Sequence, residues 1–122
     1  MKIVLMWMFT GILLFAATFS DAIQEAEKNH KLILVEMVME FCPYCQQMDK
    51  YVLSKEDVQM VINHKYVFLK LDIEKDEIPA LFTSRMTPTF YFVSASGEDI
   101  LYEIKGAPSK SEFLRILKSI NQ

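Results

Sequence analysis

The feature that most constrains this chain is a pair of cysteines three residues apart, Cys42-Pro43-Tyr44-Cys45, placed just after an apolar run from Leu32 to Met39. That run is bounded by charged residues and suits a strand covered on both faces. Pro43 is tolerated in a first helical turn, and Cys45, Met48 and Val52 then recur at helical spacing through Leu53. A strand therefore passes into a helix at the cysteine pair. Cys42 is expected at the helix N-terminus, exposed, where unpaired backbone N–H groups and the helix dipole stabilise a thiolate. Cys45 lies one turn further in, close enough to attack a mixed disulfide formed by Cys42. The spacing makes Cys42 the candidate nucleophile and Cys45 the resolving thiol.

The chain has no other cysteine, so the pair cannot be part of a disulfide framework. The same spacing supplies half of many zinc sites. Here there is no second pair, and His30 and His64 lack zinc-finger spacing to the cysteines. No metal is expected. A static structural disulfide is the bland alternative to redox exchange.

Which chemistry two cysteines perform depends on their compartment. Hydrophobic residues make up 52% of the 122 residues, yet 15 of them fall in the first 20, beside a single charge at Lys2. The remainder has the composition of a soluble globular domain, which excludes a polytopic membrane protein. Residues 1–20 read as a secretory signal peptide, with small residues suited to cleavage before Asp21 or after Ala22. The alternative is an uncleaved anchor, because the run 3–19 reaches the lower limit for a membrane-spanning helix. Either way the domain, residues 21–122, is expected outside the cytoplasmic membrane, and a bacterial leader makes that the periplasm. Beyond residue 20, 12 basic residues face 16 acidic ones with no basic cluster. Nucleic acid is therefore not an expected partner, and a monomer is.

The rest of the chain reads as one α/β domain without repeats or linkers. Expected in order are a short helix over Asp21–His30, the strand at 32–39, and the helix opening at the cysteines. Ser54-Lys55-Glu56-Asp57 resembles a capping box that restarts a helix through Val58, Val61 and Ile62. A second strand follows at Tyr66–Leu71, a short helix at Ile78–Ser84, and a third strand at Thr89–Val93. Ser96-Gly97-Glu98 is a turn before a fourth strand at Ile100–Ile104. Ser109 and Glu112 form a second capping box, opening a last helix that buries Phe113, Leu114, Ile116, Leu117 and Ile120.

Several segments together resemble the thioredoxin superfamily over residues 31–120. The run Leu34 to Cys45 is similar to that family's strand leading into its active-site helix. Lys70-Leu71-Asp72-Ile73 matches its second-strand region, and Met86-Thr87-Pro88-Thr89-Phe90 matches the loop in which a cis-proline precedes an apolar strand. Gly97 and Gly106 fall where the family has its hairpin and pre-helix glycines. The resemblance implies a thioredoxin fold, with a central mixed sheet of about four strands flanked by helices.

It also implies roles. Pro88, preceded by Thr87, would lie against the cysteines and pair with an extended substrate strand. Glu36 aligns with the buried acid behind the cysteines and Lys70 with its lysine partner. A buried carboxyl with a raised pKa would accept the Cys45 proton; an exposed or partly solvated Glu36–Lys70 ion pair is the alternative. Phe41 replaces the family's common tryptophan and would keep an aromatic shield. Tyr44, between the cysteines, should be exposed enough to touch clients, with Pro43 supporting the turn. Met37, Met39, Met48, Met60 and Met86 are read mainly as core filling, with a soft client surface as the alternative.

The expected activity is that of an exported thiol–disulfide oxidoreductase that reduces client protein disulfides and is recharged by a membrane electron donor. It needs no cofactor beyond the Cys42–Cys45 pair. The absence of a histidine between the cysteines favours a reductase over a strongly oxidising protein. The alternatives are a disulfide-donating oxidase or isomerase, and a thioredoxin-fold binding module without turnover.

Overall fold

The computed structural model describes residues 18–121. The expected leader falls, up to residue 17, outside the described residues. Among the described residues no helix is long and apolar enough to cross a membrane.

Helix α1 (Phe19–Asn29) precedes strand β1 (Leu32–Val38), which runs into α2 (Pro43–Met48) and a π-helical segment (Asp49–Leu53). Helix α3 (Glu56–Lys65) and strand β2 (Tyr66–Asp72) complete the first half. Strands β3 (Thr89–Val93) and β4 (Ile100–Lys105) form a hairpin, and α4 (Lys110–Ser119) closes the chain. The sheet order is β2-β1-β3-β4, with β2 parallel to β1 and both hairpin pairings antiparallel. The four-stranded mixed sheet expected from the sequence is thus present.

Strand β1 is paired on both edges and covered on both faces. Alternation places Leu32 and Leu34 in one core with Met48, Val52, Phe90, Phe92 and Phe113. Ile33, Val35 and Met37 enter the opposite core with Ala22, Ala26, Leu69 and Tyr91. Helix α1 therefore covers one face, while α2, α3 and α4 cover the other. Tyr66, buried at the start of β2, donates its hydroxyl hydrogen to the Leu117 carbonyl at 2.6 Å and ties α4 to the sheet.

Four local readings differ from the structure. Helix α1 begins at Phe19, two residues before the expected start at Asp21, because Thr18 caps it: the Thr18 hydroxyl accepts from the Asp21 N–H at 3.1 Å. Phe19 then packs edge-on against Phe82, with ring centroids 5.0 Å apart. The helix expected at Ile78–Ser84 is instead a loop with one turn, closed by the Phe82 N–H on the Pro79 carbonyl. Pro79 offers no amide hydrogen and biases Ile78 toward extended backbone. The apolar residues that suggested a helix there anchor the loop, with Phe82 stacked on Tyr91.

The capping box at Ser54 does not form either. The Ser54 hydroxyl donates to the Lys50 carbonyl, and α3 starts after Lys55 without a side-chain cap. Finally, the helix after the cysteines is not uniform: it widens into a π segment at Asp49. The second capping box is half realised, with Ser109 Oγ accepting from the Glu112 N–H at 3.3 Å.

Gly97 turns the hairpin with φ +76°, and a Cβ placed there would lie 2.7 Å from Ile23 Cγ1 on α1. The backbone conformation strains any side chain there, and the Ile23 side chain would have to shift to admit one. Gly97→Ala is expected to destabilise the domain by about 2 kcal/mol, lowering the thermal midpoint by about 10 °C in a circular-dichroism melt.

Candidate redox site

The site forms where β1 ends. After Val38 the chain turns through Met39, Glu40 and Phe41, and Phe41 adopts φ +59°. This left-handed conformation is uncommon for an aromatic residue. The ring is 87% exposed and does not shield the sulfurs as the sequence suggested. Cys42 follows in extended conformation as the N-cap of α2, with Pro43 in the first turn. Its sulfur accepts from the Cys45 N–H at 3.1 Å. Cys42 and Cys45 form a disulfide with their Cα atoms 5.2 Å apart.

The expectation of an exposed Cys42 needs correction. Cys42 is only 6% exposed and Cys45 5%, because the loop before β3 closes over the pair. There the Thr87 hydroxyl donates to Cys42 Sγ at 3.3 Å, and the Thr87–Pro88 peptide is cis. Hydrogen bonds inside the loop hold it in place. Tyr91 Oη accepts from the Ser84 N–H, Ser84 Oγ accepts from the Met86 N–H, and the buried Thr89 hydroxyl donates to the Met86 carbonyl. The Gly106 N–H donates to the Pro88 carbonyl at 2.8 Å, fastening the loop to the end of β4. Thr87 and Pro88 are thus brought to the cysteines by the sheet.

Around this closed pair stand exposed apolar side chains: Phe41, Tyr44 at 64% and Met86 at 52%. Tyr44 is exposed as its position between the cysteines suggested. Of the five methionines, Met37 and Met48 fill core, whereas Met60 and Met86 are exposed. On the other flank, Lys75 pairs with Glu40 at 3.1 Å, linking the loop after β2 to the segment before Phe41.

Glu36 lies on β1 two residues beyond Leu34, on the same face of the strand and therefore under the α2 side of the sheet. It is wholly buried, and among the described residues neither carboxylate oxygen has a hydrogen-bond partner. Parallel register sets Lys70 directly beside it, and the Lys70 ammonium lies 3.5 Å from Glu36 Oε1. Of the expected exposed or partly solvated ion pair, the structure shows the partly solvated form: the acid is buried and only its lysine partner meets water.

Burial pushes the Glu36 carboxyl up to about 7; Lys70 pulls against that shift, and the negative charge of Asp49 adds to it. Lys70 is itself held above its ordinary value. Partial burial works against its charge, but Glu36 and Asp49 outweigh it.

Asp49 is the group that inspection of the sequence missed. Its carboxylate accepts from the Lys70 ammonium through both oxygens, at 3.2 and 3.4 Å. Its position four residues after Cys45, on one helical face, was the available signal. No cluster of three or more metal-ligating side chains occurs among the described residues.

A disulfide-bonded cysteine pair at a strand-to-helix junction, faced by a cis-proline loop, defines a thioredoxin-like domain. A family model described as a thioredoxin-like domain matches residues 19–121, and the chain belongs to that family. It is 31% identical to protein disulfide isomerase-like 1-1 of Arabidopsis thaliana over 78% of the chain and 19% of that relative. Identity to the thiol:disulfide interchange protein DsbD of Colwellia psychrerythraea is 23%, over 85% of the chain and 18% of the relative. The chain thus spans less than a fifth of these curated relatives. Among solved structures, a thioredoxin from Thermus thermophilus superposes with a TM-score of 0.69 at 26% identity, covering 84% of this chain and 82% of the other.

The raised Glu36 carboxyl makes stability depend on pH. Glu36 holds its proton up to about 7 in the folded protein, against 4.5 for an unperturbed glutamate. Between those values the folded state binds more protons than the unfolded chain, so stability falls as pH rises through the window. The loss amounts to about 3 kcal/mol, and Glu36→Gln is expected to flatten it. Urea midpoints of the oxidised protein at about pH 5 and about pH 8 measure both slopes.

Proposed function

We propose that this protein is an exported, periplasmic thiol–disulfide exchange protein that reduces disulfides in client proteins. The supporting observation is the setting of Cys42. It caps the helix, accepts hydrogen bonds from the Cys45 N–H and the Thr87 hydroxyl, and borders the exposed Phe41, Tyr44 and Met86. The same two donors that meet the sulfur in the disulfide favour a thiolate when the pair is reduced.

In the reduced protein, the Cys42 thiolate attacks one sulfur of a client disulfide. A Cys42–client mixed disulfide forms and the other client sulfur leaves as a thiolate. An extended client segment lies against the Thr87–Pro88 backbone, with apolar side chains on Phe41, Tyr44 and Met86. Cys45 then gives its proton to Glu36 and attacks Cys42 Sγ. The Cys42–Cys45 disulfide forms, and the second client sulfur leaves as a thiolate and is protonated. Two electrons pass to the client. A carboxyl that titrates near neutrality is suited to take that proton and return it. Pro43 fixes the turn that sets the two sulfurs one helical turn apart, and Lys70 steadies Glu36 when it is charged.

The oxidised protein must be reduced again by a dithiol partner. The similarity to a relative named as a thiol:disulfide interchange protein supports recharging by exchange with a partner protein, a role for which a membrane electron donor is part of this proposal. The relative named as a disulfide isomerase supports a second reading, in which the pair passes its disulfide to client thiols. Pro43 and Tyr44, neither of them cationic, favour the reducing direction: no charge between the cysteines adds to the stabilisation of the thiolate.

Cys42→Ser is expected to lower reduction of a protein disulfide by roughly 100-fold or more. Cys45→Ser should accumulate mixed disulfides with clients, seen as thiol-sensitive high-mass bands on non-reducing gels. A pair found mainly oxidised in cells, with a potential near about −120 mV, would overturn the reducing direction. Activity that survives Cys42→Ser would overturn exchange altogether.

A further inference from the structure

Lys70 stands between two acids of opposite exposure. The Glu36 side chain is completely buried, whereas that of Asp49 is 46% exposed and that of Lys70 43%. A lone ammonium shared this way serves the two partners unequally. It donates to both oxygens of Asp49, at 3.2 and 3.4 Å, yet stands 3.5 Å from Glu36 Oε1 without a hydrogen bond to it. The acid most in need of compensation receives the weaker contact.

The backbone places Asp49 for this. Its N–H donates to the Cys45 carbonyl one turn back, and the π segment opens at the same residue. The helix that carries the resolving thiol therefore also carries the carboxylate that takes the Lys70 ammonium. π-Helical turns inside helices often mark functional positions.

We propose that Asp49 is a positioning residue of the redox centre, holding the Lys70 ammonium away from Glu36 so that the buried carboxyl keeps its proton to higher pH. Two effects act in the same sense. Asp49 occupies the donors of Lys70, and its own negative charge opposes ionisation of Glu36. Lys70 and Asp49 are the charges that act on Glu36, and on β3 its pairing partner is the uncharged Phe90. The consequence for turnover rests on the proposed proton transfer from Cys45; the charge coupling itself does not.

The test is a carboxyl-carbon NMR titration of Glu36 in the oxidised full-length protein, with Glu36→Gln identifying the resonance. Asp49→Asn keeps shape and an acceptor oxygen at a half-exposed position, so the fold is retained. Its Glu36 midpoint is expected to fall by about half a pH unit or more, while Asp49→Glu stays close to the parent. A midpoint that is unchanged or higher in Asp49→Asn overturns the proposal, as does an equal fall in Asp49→Glu.

A second readout is the release of client from the mixed disulfide on the acid side of its pH profile. There Asp49→Asn should be roughly 3-fold faster, with the alkaline plateau unchanged. A shifted titration with an unshifted release profile keeps the charge coupling and overturns Glu36 as the proton acceptor. The failure of the functional reading is thereby told apart from that of the coupling.

Discussion

Strand β1 has pairing partners on both edges and packed side chains on both faces, so it has no register to slip into. A shift of one residue would carry Glu36 into the Met37 core and Leu34 toward the wrong layer. That rigidity is what lets a closely spaced cysteine pair act as a defined centre. The end of β1 delivers Cys42 to the head of α2, its antiparallel neighbour β3 begins at the proline loop, and its parallel neighbour β2 carries Lys70 beside Glu36. Three chemically distinct groups from distant parts of the chain therefore meet through one strand's ladder.

The buried acid works against the stability this architecture provides. A carboxyl without hydrogen-bond partners inside an apolar layer favours its neutral form, and Lys70 only partly offsets that preference. The proposed exchange chemistry would use the same group, which is raised toward neutrality and sits on the face covered by the helix of Cys45. Asp49 and Lys70 extend this arrangement to the surface, where solvent meets the chain of charges. At the same surface Phe41 combines a left-handed backbone conformation with an exposed ring.

Where structure and sequence reading differ, either a local pattern has two physical uses or a distant segment intervenes. Ile78, Leu81 and Phe82 have helical spacing, yet Pro79 withholds an amide hydrogen and Phe82 is recruited by Tyr91 and Phe19 instead. Ser54 has the chemistry of a cap but meets the Lys50 carbonyl first. Cys42 was expected to be open because helix N-termini usually are; the Thr87 loop, 45 residues away in the chain, covers it. Phe41 was expected to shield because it is aromatic, and the structure leaves its ring exposed, on a left-handed residue.

The sequence by itself determined the strand–helix junction at Cys42 and Cys45, the four strands in order, the turn at Gly97 and the alignment of Glu36 with Lys70. Each rests on local spacing, on a residue whose backbone preference is strong, or on a matched motif, and these need no knowledge of distant contacts. Tertiary structure alone decided how closed the disulfide is, which way Phe41 points, and that Lys70 is divided between Glu36 and Asp49. Those outcomes depend on which side chains meet across the sheet and on how far each acid is removed from water. Burial and long-range electrostatics are properties of the assembled packing, and no window of sequence contains them.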